Sequence, residues 1–133
     1  MHESSTAVGW ASNRTLTIDR PLDAGGMGLG YNGGELLFLA IGACYTNDIF
    51  REASKRGINV KSVQVDVEGE WGGDPVRAQN VMFYPKVEAD ASDKEIMELI
   101  HHTDQVAEIH NSLRMGTQVP SPAPKPCKST NSG

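Results

Sequence analysis

The fold of this chain is decided by the stretch GGELLFLAIGACYTNDIF, which occupies residues 33–50. Ten of the twelve residues from Leu36 to Asn47 are apolar, glycine or alanine, so no wide polar face remains for water. A helix that is apolar on all sides has to be buried, and this one is too short to span a membrane, which takes about 20 apolar residues. We therefore expect a sheet, a partner subunit or both to enclose it, together with the thiol of Cys44 at its centre.

Length, charge and cysteine content narrow the class of protein. The 133 residues indicate one domain with a modest core. A formal net charge of −5 argues against nucleic acid as a partner, because phosphate binding needs clustered lysine and arginine. The cysteines Cys44 and Cys127 are too few for a disulfide framework, and the start of the chain lacks the pattern of a secretory signal. These features favour a cytoplasmic protein with reduced thiols that contacts no membrane.

Alternating apolar and polar residues predict two β-hairpins, one on each side of the apolar stretch. The first surrounds the turn residues Ser12 and Asn13, and the second surrounds a turn at 72–75. A glycine-rich loop at 23–34 leads into the central helix.

The central helix is predicted to begin at a capping box of Asn32 and Glu35 and to end near Arg56, with Gly57 just beyond its C-cap. Because the apolar residues cluster in its first half, we expect the front of the helix to be buried. The polar second half should face solvent.

Two shorter helices are expected downstream, with Ser92 and Asp104 as N-caps, followed by a last edge strand at 117–119. Residues 120–133 are rich in proline and serine, cannot bury apolar surface, and are expected to form a flexible tail. The sequence therefore predicts a single α+β domain over residues 1–119, with antiparallel hairpins wrapped around a long buried helix.

Several motifs resemble the OsmC/Ohr family over about residues 4–119. The resemblance rests on Ile18–Pro21, Gly25-Gly26 and Gly34–Cys44, and on a second motif at Val106–Leu113. It implies an OsmC-like fold and an intertwined homodimer, in which two central helices pack inside sheets from both chains. It also implies a peroxidase that reduces organic hydroperoxides with a pair of cysteines.

The cysteine pair is incomplete in this sequence. Cys44 lies where the family keeps its peroxidatic cysteine, whose thiolate attacks the peroxide and becomes a sulfenic acid. Ala107 stands where the family keeps its resolving cysteine, in a Cys-Pro pair that is Ala107-Glu108 here. Three outcomes are therefore open: resolution by an external thiol reductant, resolution by Cys127, or loss of peroxidase function.

Charged residues near Cys44 give the other catalytic candidates. Glu35 and Arg14 are the candidates for an acid and an arginine that activate the thiol, with Arg20 as a second arginine. In the family the catalytic glutamate lies one position earlier than Glu35, and a capping role is sufficient reason for Glu35. Asp48 follows Cys44 by one helical turn, where a carboxylate would disfavour the thiolate unless an arginine intervenes.

The expected substrate pocket lies at the dimer interface and is lined by Phe38, Ile41, Tyr45 and His110. His101 and His102 lack the spacing of zinc ligands, so neither a metal nor another cofactor is expected.

Two functions remain open at this point. The first is single-cysteine, thiol-dependent reduction of organic hydroperoxides in oxidative-stress defence. The second is an OsmC-fold protein without peroxidase turnover, which binds a small apolar or electrophilic ligand at the dimer interface. An intact Cys44 motif favours the first, whereas Ala107 and Asp48 favour the second.

Overall fold

The computed structural model describes residues 4–127 and shows an α+β arrangement of four strands and three α-helices in that range. A short 3-10 turn, Leu22–Ala24, interrupts the glycine-rich loop. The strands and helices follow in the order β1 Ala7–Ala11, β2 Arg14–Ile18, α1 Gly33–Lys55, β3 Asn59–Gly72, β4 Arg77–Asp90, α2 Asp93–Val106 and α3 Glu108–Arg114.

Both predicted hairpins are confirmed. β1 pairs with β2 and β3 pairs with β4, each antiparallel. Ser12 and Asn13 have φ values of +47° and +67°, which is the backbone of a tight hairpin turn and a conformation that asparagine tolerates well. In the longer hairpin Val63 pairs with Val87 and Val67 pairs with Phe83, so the apolar residues of both strands share the face toward α1.

The predicted caps of α1 are confirmed at both ends. The Asn32 side chain accepts a hydrogen bond from the Glu35 amide at 2.8 Å, and Glu35 Oε1 accepts one from the Asn32 amide at 3.0 Å. Gly57, just beyond the C-cap Arg56, has a φ of +66°, where a side chain would be strained. The helix is continuous through Gly42.

The core of the chain lies between α1, the β3–β4 hairpin and α2. Its fully buried members Tyr45, Ile49 and Ala53 come from the second half of α1, where they meet Leu99 of α2 and Ala107. The expectation of a buried front and a solvated back is therefore wrong for a single chain. Leu39 in the front half is 49% exposed, whereas the back half carries most of the buried positions.

Charge neutralisation explains how the acidic side chain of Glu52 is buried in the back half of α1. The Glu52 carboxylate is 2.9 Å from Lys55 Nζ and 2.8 Å from His102 Nε2. Hydrogen bonds from Lys55 and then His102, with the positive charges of Lys55 and Arg51, lower the pKa of Glu52 to about 2. An acidic residue in this position is stable because cations from α1 and a histidine from α2 surround it.

Two details of the C-terminal region differ from expectation. Asp104 is not an N-cap, because α2 continues to Val106 and Ala107 separates it from α3. Its carboxylate instead lies 2.6 Å from Arg114 Nη2 of α3, a tertiary contact that the local sequence does not indicate. Residues 117–127 form no helix or strand, so the predicted edge strand is absent there. The rest of the predicted tail, residues 128–133, lies outside the described residues.

Hydrogen bonds of Asp19 connect residues 5 and 6 to the glycine-rich loop. Its buried carboxylate accepts hydrogen bonds from Ser5, from Thr6 at 3.0 Å and from the amides of Arg20 at 2.8 Å and Leu29 at 3.2 Å. These donors, led by Ser5, lower the pKa of Asp19 to about 2. The β1–β2 hairpin itself has large apolar side chains exposed to solvent, and Trp10 is 79% exposed.

Candidate functional site

Cys44 lies near the middle of the 23 residues of α1 and is half-buried. The helix does not break at Gly42; the Thr46 hydroxyl donates to the Gly42 carbonyl at 2.8 Å within the regular turn. Since helix-dipole effects are confined to the terminal turns, the N-terminus of α1 does not stabilise a thiolate at this position. The side chains that contact Cys44 therefore matter for its chemistry.

An acidic side chain and a cation are aligned with Cys44 on one face of α1. The thiol donates to Asp48 Oδ2 at an Sγ–O distance of 3.6 Å. Asp48 is buried, and its other oxygen, Oδ1, is 3.1 Å from Arg51 Nη1. The arginine that balances the predicted carboxylate is thus Arg51, which sequence analysis missed although it lies seven residues from Cys44 on the same face.

The start of α3 faces this row of side chains. Arg51 Nη1 is 3.9 Å from Glu108 Oε1, so the cation links α1 to α3. Ala107, where the sequence resemblance places a second cysteine, is fully buried in the cluster that contains Tyr45 and Ile49. Its side chain is a methyl group and offers no thiol. Cys127, the other cysteine, is exposed at the end of the described range.

The other two catalytic candidates lie on separate surfaces. Glu35 is engaged in the cap of α1 and lines an open groove beside the front of that helix. Arg14 begins β2 and lines a different concave surface together with Trp10, Leu16 and other residues of the first hairpin. Within one chain, the partner of the Cys44 thiol is Asp48 rather than Glu35 or Arg14.

The open groove between α1 and β3 has a volume of about 540 Å³. Phe38, one of the predicted pocket residues, contributes to it and stacks on Trp71 with ring centroids 5.7 Å apart. Its lining is mainly apolar and comprises Tyr31, Glu35, Phe38, Leu39, Gly42, Ala43, Thr46, Val65 and Val67.

Two other predicted pocket residues, Ile41 and His110, line a second and smaller cavity of about 150 Å³ between α1, β4 and α3. The fourth, Tyr45, is fully buried in the core, and its hydroxyl donates to the Ile100 carbonyl at 2.8 Å. Burial, and then the charge of Asp104, raises the pKa of Tyr45 well above its ordinary value. The predicted pocket is therefore divided between two cavities and the core.

His110 is the most unusual member of the smaller cavity. It is 5% exposed, and neither ring nitrogen has a hydrogen-bond partner among residues 4–127. Its ring meets Phe83 edge-on, with centroids 4.4 Å apart. Burial, and then the positive charge of Arg114, lowers the pKa of His110.

Within the described range, no three histidine, cysteine or acidic side chains are grouped as a metal site would require. The helices of the same range also fall short of the length and hydropathy of a membrane span.

Several solved structures have the same fold as this chain. An OsmC-like protein from Mycoplasma pneumoniae matches with a TM-score of 0.72 at 19% identity, over 83% of this chain and 79% of that one. An OsmC-like protein of unknown function from Vibrio cholerae gives 0.71 at 15% identity, over 82% and 79%. The organic hydroperoxide resistance protein OsmC from Legionella pneumophila gives 0.56 at 17% identity, over 86% and 90%. At these identities the matches show the shared fold.

Comparison with curated proteins gives no match. The family model described as OsmC-like protein matches residues 25–120, a range that holds α1, the β3–β4 hairpin and both C-terminal helices. This match covers well over half of the 133 residues. The chain belongs to the OsmC-like family.

Proposed function

We propose that this protein is a thiol-dependent peroxidase that reduces organic hydroperoxides with Cys44 as its single redox cysteine. The observation that carries the proposal is the row Cys44, Asp48 and Arg51 on one face of α1. A cysteine acts as a nucleophile when a neighbouring base can accept its proton. Asp48 is within hydrogen-bond reach of the thiol, and Arg51 keeps the carboxylate in place.

The first half of the cycle oxidises Cys44. The Asp48 carboxylate accepts the thiol proton, and the sulfur attacks the terminal oxygen of the hydroperoxide. The O–O bond breaks as the S–O bond forms, so the peroxide is reduced by two electrons and the sulfur is oxidised by two. The departing alkoxide takes the proton back from Asp48 and leaves as an alcohol, and Cys44 is left as a sulfenic acid.

We assign the second half of the cycle to an external thiol, because Ala107 offers no sulfur and Cys127 is exposed at the end of the described range. One reductant thiol attacks the sulfenic sulfur, releases water and forms a mixed disulfide with Cys44. A second reductant thiol attacks this disulfide, restores the Cys44 thiol and leaves as an oxidised dimer of the reductant. The name of the Legionella pneumophila protein, an organic hydroperoxide resistance protein with the same fold, supports this substrate class.

A homodimer is part of the proposal. The exposed face of α1 carries Leu39, Ala43 and Phe50, which recur at helical spacing and remain in solvent in a single chain. The β1–β2 hairpin likewise exposes Val8 and Trp10. A second copy that packs along α1 and receives the hairpin would bury both groups of apolar side chains.

A second function is supported by two specific observations. The thiol is the donor in its contact with Asp48, which stabilises the protonated form, and a methyl group replaces the resolving sulfur at Ala107. Both would suit a protein that binds an apolar or electrophilic ligand in the groove beside Phe38 without turnover.

Trapping of the sulfenic acid distinguishes the two functions. After exposure to a small excess of cumene hydroperoxide with dimedone, we expect a dimedone adduct on Cys44 and no intrachain disulfide. Cys127→Ser should give the same adduct, and Cys44→Ser should give none at residue 44. If the wild-type chain carries no adduct, the enzyme function is wrong and binding without turnover is favoured.

A further inference from the structure

We infer that the cavity between α1, β4 and α3 binds a compact, uncharged and mostly apolar molecule that carries one hydroxyl group, with His110 as its hydrogen-bonding partner. This site is distinct from the row of Cys44, Asp48 and Arg51, and the inference does not depend on peroxidase activity.

The size and lining of the cavity set the size and polarity of its ligand. Its volume is about 150 Å³, and a cavity of about that volume with an apolar lining admits a single benzene ring. The walls consist of the aliphatic or aromatic side chains of Ile41, Val81, Phe83 and Leu113, with His110 and Arg114 as the polar members.

His110 supplies the reason to expect a polar group on that ligand. The side chain is more than nine-tenths buried, yet neither nitrogen has a partner among the described residues. Buried polar atoms without partners are rare and costly, so such a group indicates a missing hydrogen-bonding partner. A neutral imidazole has one N–H donor and one acceptor nitrogen, and a hydroxyl group can satisfy either.

The charges around the cavity exclude an ionic ligand. Arg114 Nη2 lies 2.6 Å from Asp104 Oδ1, and Nη1 donates to the Asp104 carbonyl at 3.0 Å. The guanidinium charge is therefore already balanced, and burial lowers the pKa of His110, which disfavours its charged form. A carboxylate or ammonium ligand would have to lose its hydration without gaining a counter-ion. An uncharged ligand avoids this cost.

A small rotation of the imidazole completes the site. Both nitrogens of His110 are closed to solvent, although the ring lines the cavity. The terminal torsion of histidine has a broad energy minimum, so a modest rotation of the ring would turn a nitrogen toward a bound hydroxyl. Ile41 also places the cavity one helical turn before Cys44.

A comparison of phenol with toluene tests this inference, because the two probes have nearly the same shape and differ by one hydroxyl. We expect phenol to bind wild type about tenfold more tightly than toluene, because one net hydrogen bond changes a dissociation constant by about that factor. Resonances of Phe83 and Leu113 should move on titration. His110→Leu should abolish the preference for phenol and still admit toluene, whereas His101→Leu, at an exposed site on α2, should behave as wild type.

Two further measurements test the inference without relying on the His110→Leu variant. In wild type, phenol should shift the imidazole ¹⁵N resonances of His110, a readout that does not need the variant to fold. Cys44→Ser should bind phenol as wild type does, which separates this site from the proposed peroxidase chemistry. Equal binding of phenol and toluene, a phenol preference that survives in His110→Leu, or unchanged His110 resonances would each overturn the inference.

Discussion

The Cys44 thiol donates a hydrogen bond to the Asp48 carboxylate across 3.6 Å, one helical turn further along α1. Asp48 is in turn 3.1 Å from Arg51, so a proton donor, a proton acceptor and a cation follow one another on the same helix face. If Asp48 takes the thiol proton, it promotes attack on a peroxide. If it only holds the proton on the sulfur, it suppresses that attack. Substitution of Asp48 separates these roles.

Asp48→Asn should slow the oxidation of Cys44 by cumene hydroperoxide about 100-fold, because a positioned general base contributes at least that factor. The measurement is the loss of free thiol at pH 7.5 under rapid mixing, in a Cys127→Ser background. Asp66→Asn, which removes an exposed carboxylate on β3, is the matched control and should oxidise at the wild-type rate. An unchanged or faster reaction in Asp48→Asn would show that the carboxylate restrains the thiol.

Ala107→Cys should restore the cysteine pair of the family. Oxidation by one equivalent of hydroperoxide is then expected to close a disulfide between residues 44 and 107, and trapping by dimedone should fall sharply. Non-reducing peptide mapping by mass spectrometry identifies the bond. Ala91→Cys, between β4 and α2, adds a thiol elsewhere and should leave the Cys44 adduct unchanged. Persistence of the full adduct in Ala107→Cys would mean that residue 107 does not lie within reach of Cys44.

Much of the fold was predictable because its determinants are local. The alternation in β3 and β4, the turn at Ser12 and Asn13, and the reciprocal cap of Asn32 and Glu35 each depend on residues that are close in sequence. Elsewhere a contact between residues distant in sequence takes the place of the local pattern. Asp104 has a residue type that is common at N-caps, but α2 continues past it to Val106, and its carboxylate pairs with Arg114 ten residues away.

The candidate site was predictable only in part. The motif indicated Cys44, and its spacing from Asp48 indicated their contact. The resemblance favours an arginine of the first hairpin and does not indicate Arg51, although its position seven residues after Cys44 places Arg51 on the same helix face. The division of the predicted pocket residues between two cavities depends on the packing of α3 against β4, which no local pattern encodes.

Glu52 should make the stability of the protein depend on acidic pH. Its pKa is about 2 in the folded protein against an ordinary value of 4.5. A depressed pKa means that the stabilisation is complete above about pH 5 and is lost as pH falls from there toward 2. Urea unfolding midpoints at several pH values should therefore fall less steeply in Glu52→Gln than in wild type. Glu98→Gln, at an exposed position on α2, should follow the wild-type slope. Parallel slopes for wild type and Glu52→Gln would contradict the assignment.

The exposed face of α1 predicts a dimer that charge can disrupt. In dilute solution, light scattering should give a mass near twice the 14.4 kDa of one chain. Leu39→Glu should shift the mass to that of a monomer, because the new carboxylate would be buried without a partner in the interface. Val76→Glu, in the turn between β3 and β4 where the side chain is 73% exposed, should remain dimeric. A wild-type monomer, or a Leu39→Glu dimer of unchanged stability, would rule out this interface.

Catalytic turnover in the Cys127→Ser chain tests the central claim most directly, since Cys44 is then the only cysteine in the sequence. The measurement is the consumption of cumene hydroperoxide with excess small-molecule thiol, followed for many equivalents of protein. We predict one equivalent of alcohol and one of thiol disulfide per peroxide over repeated cycles, and background consumption when Cys44 is also replaced by serine. Consumption that stops at or below one equivalent, or that continues without Cys44, would contradict a single-cysteine peroxidase.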